Sequence, residues 1–199
     1  MRCFIGIGLP DTVRTCLVEA VREFCRERVP VSWTVPENLH MTLKFLGETN
    51  KKRVFDVEKG LAEAAAGFTA FSLKAAGGGM FPGPRDPRIL WAGFGEPLEL
   101  VEALQQTISN TMMLVGFPAE GRLFHPHVTI GRVKGTLPSG WGDRFLGHFS
   151  GRAFGIVPIS AIVLYESRLS KGGAIYSVIR EFPLVGALRN VESKKETTS

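Results

Sequence analysis

Apolar residues recur along this chain with two periods, one near two residues and one near 3.6. Arg2 to Gly8 is a short apolar run stopped by Pro10-Asp11, which predicts a strand and then a helix with proline in its first turn. Val13, Leu17, Ala20, Val21 and Phe24 continue at helical spacing, with Arg14, Arg22, Arg26 and Glu27 elsewhere. Ser32 to Val35 is an extended piece ended by Pro36, and Leu39 to Leu46 is a longer strand ended by Gly47. Asn50 is placed to cap a second helix with Val54, Val57, Leu61 and Ala65 on one face. Phe71 to Ala75 and Arg88 to Phe94 read as strands, and Gly77-Gly78-Gly79 with Phe81-Pro82-Gly83-Pro84 between them predicts a flexible connector. A third helix opens at Pro97, keeps Leu98, Val101, Leu104, Ile108, Met112 and Val115 in register, and closes at Gly116. Phe124 to Val133 is a strand. The next twenty residues are glycine-rich and irregular, with one helical turn near Arg144 to Leu146. Ile159 to Glu166 and Ala174 to Phe182 form a hairpin about Ser170-Lys171-Gly172-Gly173. The interleaving predicts an α+β fold of two similar lobes with a cleft between them. Residues 1–190 form one bilobal domain and 191–199, which have nothing to bury, a disordered tail.

Composition narrows the class. Hydrophobic residues at 44% and charged at 22% suit a soluble globular chain, and no apolar run approaches the ~20 residues of a membrane span. The run from Cys3 to Leu9 is broken by glycines and makes a poor signal-peptide core. Cys3, Cys16 and Cys25 are odd in number and close together, which argues against a disulfide framework and for a reducing, cytoplasmic setting. The formal net charge of +5 favours an anionic partner such as RNA.

The chemistry concentrates in two matching stretches, His40-Met41-Thr42-Leu43 and His127-Val128-Thr129-Ile130. Side chains alternate along a strand, so each His and Thr share one face, while Met41, Leu43, Phe45, Val128 and Ile130 point into the core. Two histidines facing a common cleft can act as general base and general acid, and two threonine hydroxyls can hold the oxygens of an anion between them. That suits the splitting of a phosphodiester. A single His-x-Thr usually marks a half-exposed strand; it is the repetition that points to a shared site. Lys44 has the parity of His40 and Thr42 and is either a cleft cation or a solvated strand lysine. Arg132 stands five residues after His127, on the opposite face of a regular strand unless a bend at Gly131 or the strand's end redirects it. His125 and His127 form a His-x-His pair, but with four histidines in the chain and distant cysteines, no metal and no cofactor are expected. The glycine run lacks a following Gly-Lys-Ser/Thr and a helix, so it is no phosphate loop. His148 reads as a surface residue. Trp33, Phe81 and Trp91 read as core aromatics, with stacking on a base as the alternative.

Taken together, these stretches resemble the 2H phosphoesterases, and among them the RNA 2′,3′-cyclic phosphodiesterases also called 2′-5′ RNA ligases. The similarity runs from Arg2-Cys3-Phe4-Ile5-Gly6-Ile7 through Trp33, Asn38-Leu39-His40-Met41-Thr42-Leu43-Lys44-Phe45-Leu46-Gly47 and Phe81-Pro82. It continues in Pro87-Arg88-Ile89-Leu90-Trp91, Pro126-His127-Val128-Thr129-Ile130-Gly131-Arg132, Leu164-Tyr165-Glu166-Ser167-Arg168-Leu169 and Tyr176. The resemblance implies two antiparallel β-sheets related by a pseudo-twofold axis around a central cleft, helices outside. It implies metal-independent opening of an RNA 2′,3′-cyclic phosphate to a 2′-phosphate, with weak reverse 2′-5′ joining. His127 is then the proton acceptor, His40 the proton donor, Thr42 and Thr129 the phosphoryl holders, and Arg132 and Lys44 substrate-binding. No obligate protein partner is implied, and a monomer is expected. From the residues alone the histidine roles are interchangeable. Two other functions stay open: a phosphodiesterase for small cyclic nucleotides or ADP-ribose cyclic phosphate, and a noncatalytic RNA-binding module, which would need neither histidine.

Overall fold

The structure, a computed structural model, describes residues 1–170 and 173–189; the tail and the hairpin tip Lys171-Gly172 lie outside the described residues. The chain runs β1 (Arg2–Gly8), α1 (Asp11–Cys25), β2 (Val31–Trp33), β3 (His40–Glu48), α2 (Lys51–Ala66), β4 (Thr69–Phe81) and β5 (Ile89–Phe94). It goes on through α3 (Glu99–Leu114), β6 (His127–Val133), α4 (Trp141–Phe149), β7 (Ala153–Ile159), β8 (Ala161–Ser170), β9 (Gly173–Pro183) and β10 (Val185–Arg189). The helices follow their apolar stripes: α1 buries Val13, Leu17, Ala20 and Phe24, and α3 buries Val101, Leu104, Ile108 and Met112. Asn50 caps α2 as expected, its side-chain oxygen accepting from the Arg53 N–H at 2.9 Å.

The two expected sheets are halves of one. Its strand order is β10-β4-β5-β6-β3-β1-β8-β9, with β2 added beside β6 and β7 beside β4. The motif strands β3 and β6 lie at the centre, and the halves join there through a single residue pair, Met41 opposite Val128. Each motif strand has an antiparallel neighbour on its outer side, β1 beside β3 and β5 beside β6, so the order mirrors itself about the seam. Two helices cross between halves. α1 follows β1 but packs against β7, and α3 follows β5 but packs on β3.

Three expectations change. The glycine run is no connector: β4 passes straight through it and pairs with β5 from Ala75 to Phe81. A Cβ on Gly78 would sit 2.7 Å from the Phe149 ring and from the Trp91 carbonyl oxygen, and one on Gly79 would strike the Trp91 indole. These glycines make room for packed aromatics, while Gly77, at φ +71°, takes the register shift in the strand. The irregular region holds a full helix, α4, because Trp141, Phe145 and Phe149 recur every fourth residue and bury together, offsetting Gly142 and Gly147. It also holds β7, whose Gly155 and Pro158 mask a strand pattern. His148, expected at the surface, is half-buried between α4 and α1, with Nε2 3.0 Å from the Ala20 carbonyl oxygen and Nδ1 2.9 Å from the Glu23 carboxylate.

Candidate active site

The two motif strands share one burial pattern residue for residue. From His40, the sequence of side chains is half-buried, buried, half-buried, buried, buried, exposed, and from His127 it is the same. Strict alternation fails after the fourth residue because each strand carries a bulge there. In β3, Gly6 faces Thr42 and Ile5 faces Lys44, leaving Leu43 as the extra residue. In β6, Trp91 faces Thr129 and Leu90 faces Gly131, leaving Ile130 extra. One extra residue reverses the parity of everything after it.

That reversal decides three side chains. Arg132, on the wrong face of a regular strand, is carried onto the cleft face, as a bend near Gly131 requires. Lys44 goes the other way and is corrected: it does not line the cleft. Its side chain is buried to 1% exposure and its ammonium donates to the Pro118 carbonyl oxygen at 2.8 Å. Phe45, expected in the core, is 62% exposed and stands at the cleft wall in the position that Arg132 occupies on the other motif. Sequence parity missed it; aligning the two motifs and comparing their sixth residues would have found it.

His40, Thr42, His127, Thr129 and Arg132 line one cleft of about 500 Å³. Each histidine is held in the same way. His40 Nδ1 lies 2.7 Å from the carbonyl oxygen of Asn38, and His127 Nδ1 lies 2.7 Å from that of His125. Carbonyls only accept, so both Nδ1 atoms carry the proton and both Nε2 atoms are left to the cleft. His40 Nε2 is 2.9 Å from the Thr42 hydroxyl. Asn38 is itself anchored, its amide donating to the Ala174 carbonyl oxygen at 2.6 Å, which ties the first motif to β9.

Aromatic rings fix both imidazoles. His40 sits 4.7 Å from Phe4 and edge-on to Tyr176 at 5.2 Å, and a Cβ on the facing Gly6 would lie 2.7 Å from the Met41 carbonyl oxygen, so only glycine lets β1 approach the motif strand here. His127 meets Phe81 edge-on at 5.2 Å, and Phe81 stacks on Trp91 at 5.1 Å. Trp91 therefore buttresses the site without lining it. Burial holds both histidines below the ordinary value, its effect the largest on each. For His40 the charges of His127 and Arg132 push the same way, and for His127 those of His125 and Arg132, while the carbonyl bonds oppose them. The loop before β6 supplies the remaining wall through Glu120, Arg122, Leu123 and Phe124, and the Glu120 carboxylate accepts from the Phe45 N–H at 3.1 Å. The approach to the second motif gave no sequence signal for Glu120 or Arg122. Among the described residues no three of His, Cys, Asp or Glu cluster as metal ligands.

A cleft with two neutral imidazoles, two hydroxyls and a guanidinium can grip an anion and move protons at both sides of it. The model of the LigT-like phosphoesterases matches residues 7–91 and 95–176, so both motifs fall within it. The chain belongs to the LigT-like phosphoesterase family. Among its relatives in that family is the RNA 2′,3′-cyclic phosphodiesterase of Thermotoga maritima, 31% identical over 192 residues, spanning 94% of this chain and 98% of that one. The enzyme of the same name from Archaeoglobus fulgidus is 32% identical over 185 residues, spanning 92% and 99%. The crystal structure of TT0787 of Thermus thermophilus superposes with a TM-score of 0.78 at 28% identity, over 92% of this chain and 98% of that one. The fold is α+β, with the helices packed outside the sheet. No helix among the described residues is long and apolar enough to cross a membrane.

Proposed function

We propose that this LigT-like phosphoesterase opens RNA 2′,3′-cyclic phosphate ends to 2′-phosphates without a metal. The observation that carries this is the pair of histidines whose Nδ1 protons are committed to carbonyls, leaving two Nε2 atoms to one cleft. Neutral His127 takes a proton from water through Nε2 as the water oxygen attacks phosphorus in line with the bond to O3′. His40, protonated at Nε2, gives its proton to O3′ as that bond breaks. The product carries a 2′-phosphate and a 3′-hydroxyl, and solvent exchange returns each histidine to its starting state. Thr42, Thr129 and Arg132 stabilise the charge that grows on the phosphoryl oxygens. The anionic substrate raises the depressed pKa of His40 and so helps charge the acid it needs. With the 5′-hydroxyl of a second strand in place of water, the same attack turns the cyclic phosphate into a 2′-5′ phosphodiester and frees O3′, so the site would also support a weak 2′-5′ joining.

The names of the relatives support RNA as the substrate class, and the free thiols of Cys3, Cys16 and Cys25 support a reducing, cytoplasmic setting. The test is incubation with a short oligoribonucleotide ending in 2′,3′-cyclic phosphate, with products separated as 2′- and 3′-phosphates. Conversion to the 2′-phosphate alone is expected. A 3′-phosphate product, or no conversion of this substrate beside rapid hydrolysis of a cyclic mononucleotide, overturns the assignment.

A further inference from the structure

A second cavity, of about 790 Å³, lies at the C-terminal end of β6 beside the loop before β5, and it takes no part in the chemistry described above. Two neighbouring chain segments run from the cleft to this cavity. Phe81 and Pro82 line the cleft, while Pro84, Arg85 and Arg88 line the second cavity. On β6 and just beyond it, Arg132 lines the cleft and Lys134 lines the second cavity. Backbone bonds hold these segments together: Arg88 N–H donates to the Phe81 carbonyl oxygen at 2.7 Å, and Val133 N–H to that of Arg88 at 3.0 Å. Two residues of extended chain separate Arg132 from Lys134 by about 7 Å, the scale of one nucleotide step.

The charges along this path are unequal. Asp86 is occupied, receiving both Nε (3.2 Å) and Nη2 (2.9 Å) of Arg88. Asp143 also faces the cavity. Arg85 and Lys134, both exposed, have no ion pair among the described residues, and neither does Arg132 at the junction. Arg132, Lys134 and Arg85, without ion pairs among the described residues, thus lead from the cleft to a roomy groove in which Asp143 is the opposing free carboxylate and Thr136 and Ser139 offer hydroxyls.

We infer that this groove holds the RNA strand upstream of the reacting end, with Lys134 and Arg85 meeting the phosphates of the preceding nucleotides. The inference rests on the function proposed above. A cyclic phosphate is a 3′ terminus, so a strand seated at the histidines continues in one direction only, toward its 5′ side. The spacing and charge of the groove match a polyanion extended from the cleft, whereas a cyclic mononucleotide is complete within the cleft and never reaches it.

Binding separates this from the reaction itself. Fluorescence anisotropy with 5′-labelled oligoribonucleotides of one to six residues, ending in an unreactive 3′-phosphate, measures affinity against length and salt. Affinity is expected to rise with the first few added nucleotides, and the Arg85→Ala/Lys134→Ala double variant to lose that gain. Its salt slope for the longer RNAs becomes shallower by about 0.7 per charge removed, while the single nucleotide binds as it does to the parent protein. Equal affinity at all lengths in the parent, or a loss in the variant that is the same at every length, overturns the inference. Length-dependent binding without any cyclic-phosphate hydrolysis overturns the proposed reaction and leaves the groove standing.

Discussion

His40 and His127 are bound by the same carbonyl geometry but sit in unlike surroundings, and their removal separates proton transfer from folding. His40→Ala and His127→Ala are each expected to lower turnover by roughly 10²–10⁴-fold, the scale of general acid–base catalysis. Circular dichroism should show both variants folded, since neither ring belongs to the core; near-normal turnover in either would end the two-histidine mechanism. The profile of kcat/KM against pH, which reports the free enzyme, is expected to be a bell lying on the acid side of the ordinary histidine range, because burial holds both groups down. The kcat profile should lie at higher pH, where the bound phosphate favours the charged imidazole. With His127 as base, His127→Ala loses the acidic limb and His40→Ala the alkaline one; exchanged limbs would reverse the roles. Stability follows the same shifts. Between the folded and unfolded values the unfolded chain binds more protons, so stability rises with pH there. The contribution of both histidines is complete above about 6.5, the ordinary value, and is lost as pH falls through their depressed folded values. Thermal melts across this range should show a smaller acid loss in His40→Ala than in the parent.

At the scale of the element, the bulges and the glycine strand do the positioning. The bulge in β3 directs Lys44 inward, where it holds the Pro118 carbonyl at the root of the loop that walls the cleft. Lys44→Met keeps most of the buried volume and removes that bond. The expected result is a raised KM with kcat nearly unchanged; a fall in kcat alone would instead put the ammonium at the reacting phosphate. In β4, Gly79→Ala forces the Trp91 indole to move, and overpacking of this kind costs about 1–3 kcal/mol. Because Trp91 backs Phe81 and Phe81 backs His127, activity should fall further than the loss of stability explains when measured well below the melting temperature. A variant with full activity and unchanged stability would mean that the strand yields freely at this point.

At the scale of the molecule, the halves of the sheet meet through one residue pair, yet α1 and α3 each follow a strand of one half and pack on the other. That exchange predicts a single unfolding transition. Trp33 and Trp91 lie on β2 and β5 and Trp141 on α4, so all three tryptophans report the second half, while far-ultraviolet circular dichroism reports both. Coincident urea transitions by the two probes are expected, and an earlier tryptophan transition would show that the halves unfold separately. Chelation belongs to this scale too, since a metal would have to come from donors on separate elements. Turnover is expected to survive EDTA, and activity restored by one particular divalent ion would assign His125 and His127 as ligands instead.

Local pattern determined much of this by itself. Helical stripes of Val, Leu and Phe fixed α1, α2 and α3, because a face that recurs every 3.6 residues can bury in only one way. A spacing of two put His40 with Thr42 and His127 with Thr129 on one face before any partner strand was known. The tertiary structure decided what lies beyond the fourth residue of each motif. A bulge arises from register against the neighbouring strand, and the sequence of one strand does not state where its partner will slip. Lys44 therefore went to the core, while Phe45 and Arg132 came to the cleft. The same limit hid β4 within its glycines and α4 among its glycines. In both, the deciding contacts are with aromatic rings far away in sequence, Trp91 and Phe149 for the strand and Phe24 for the helix.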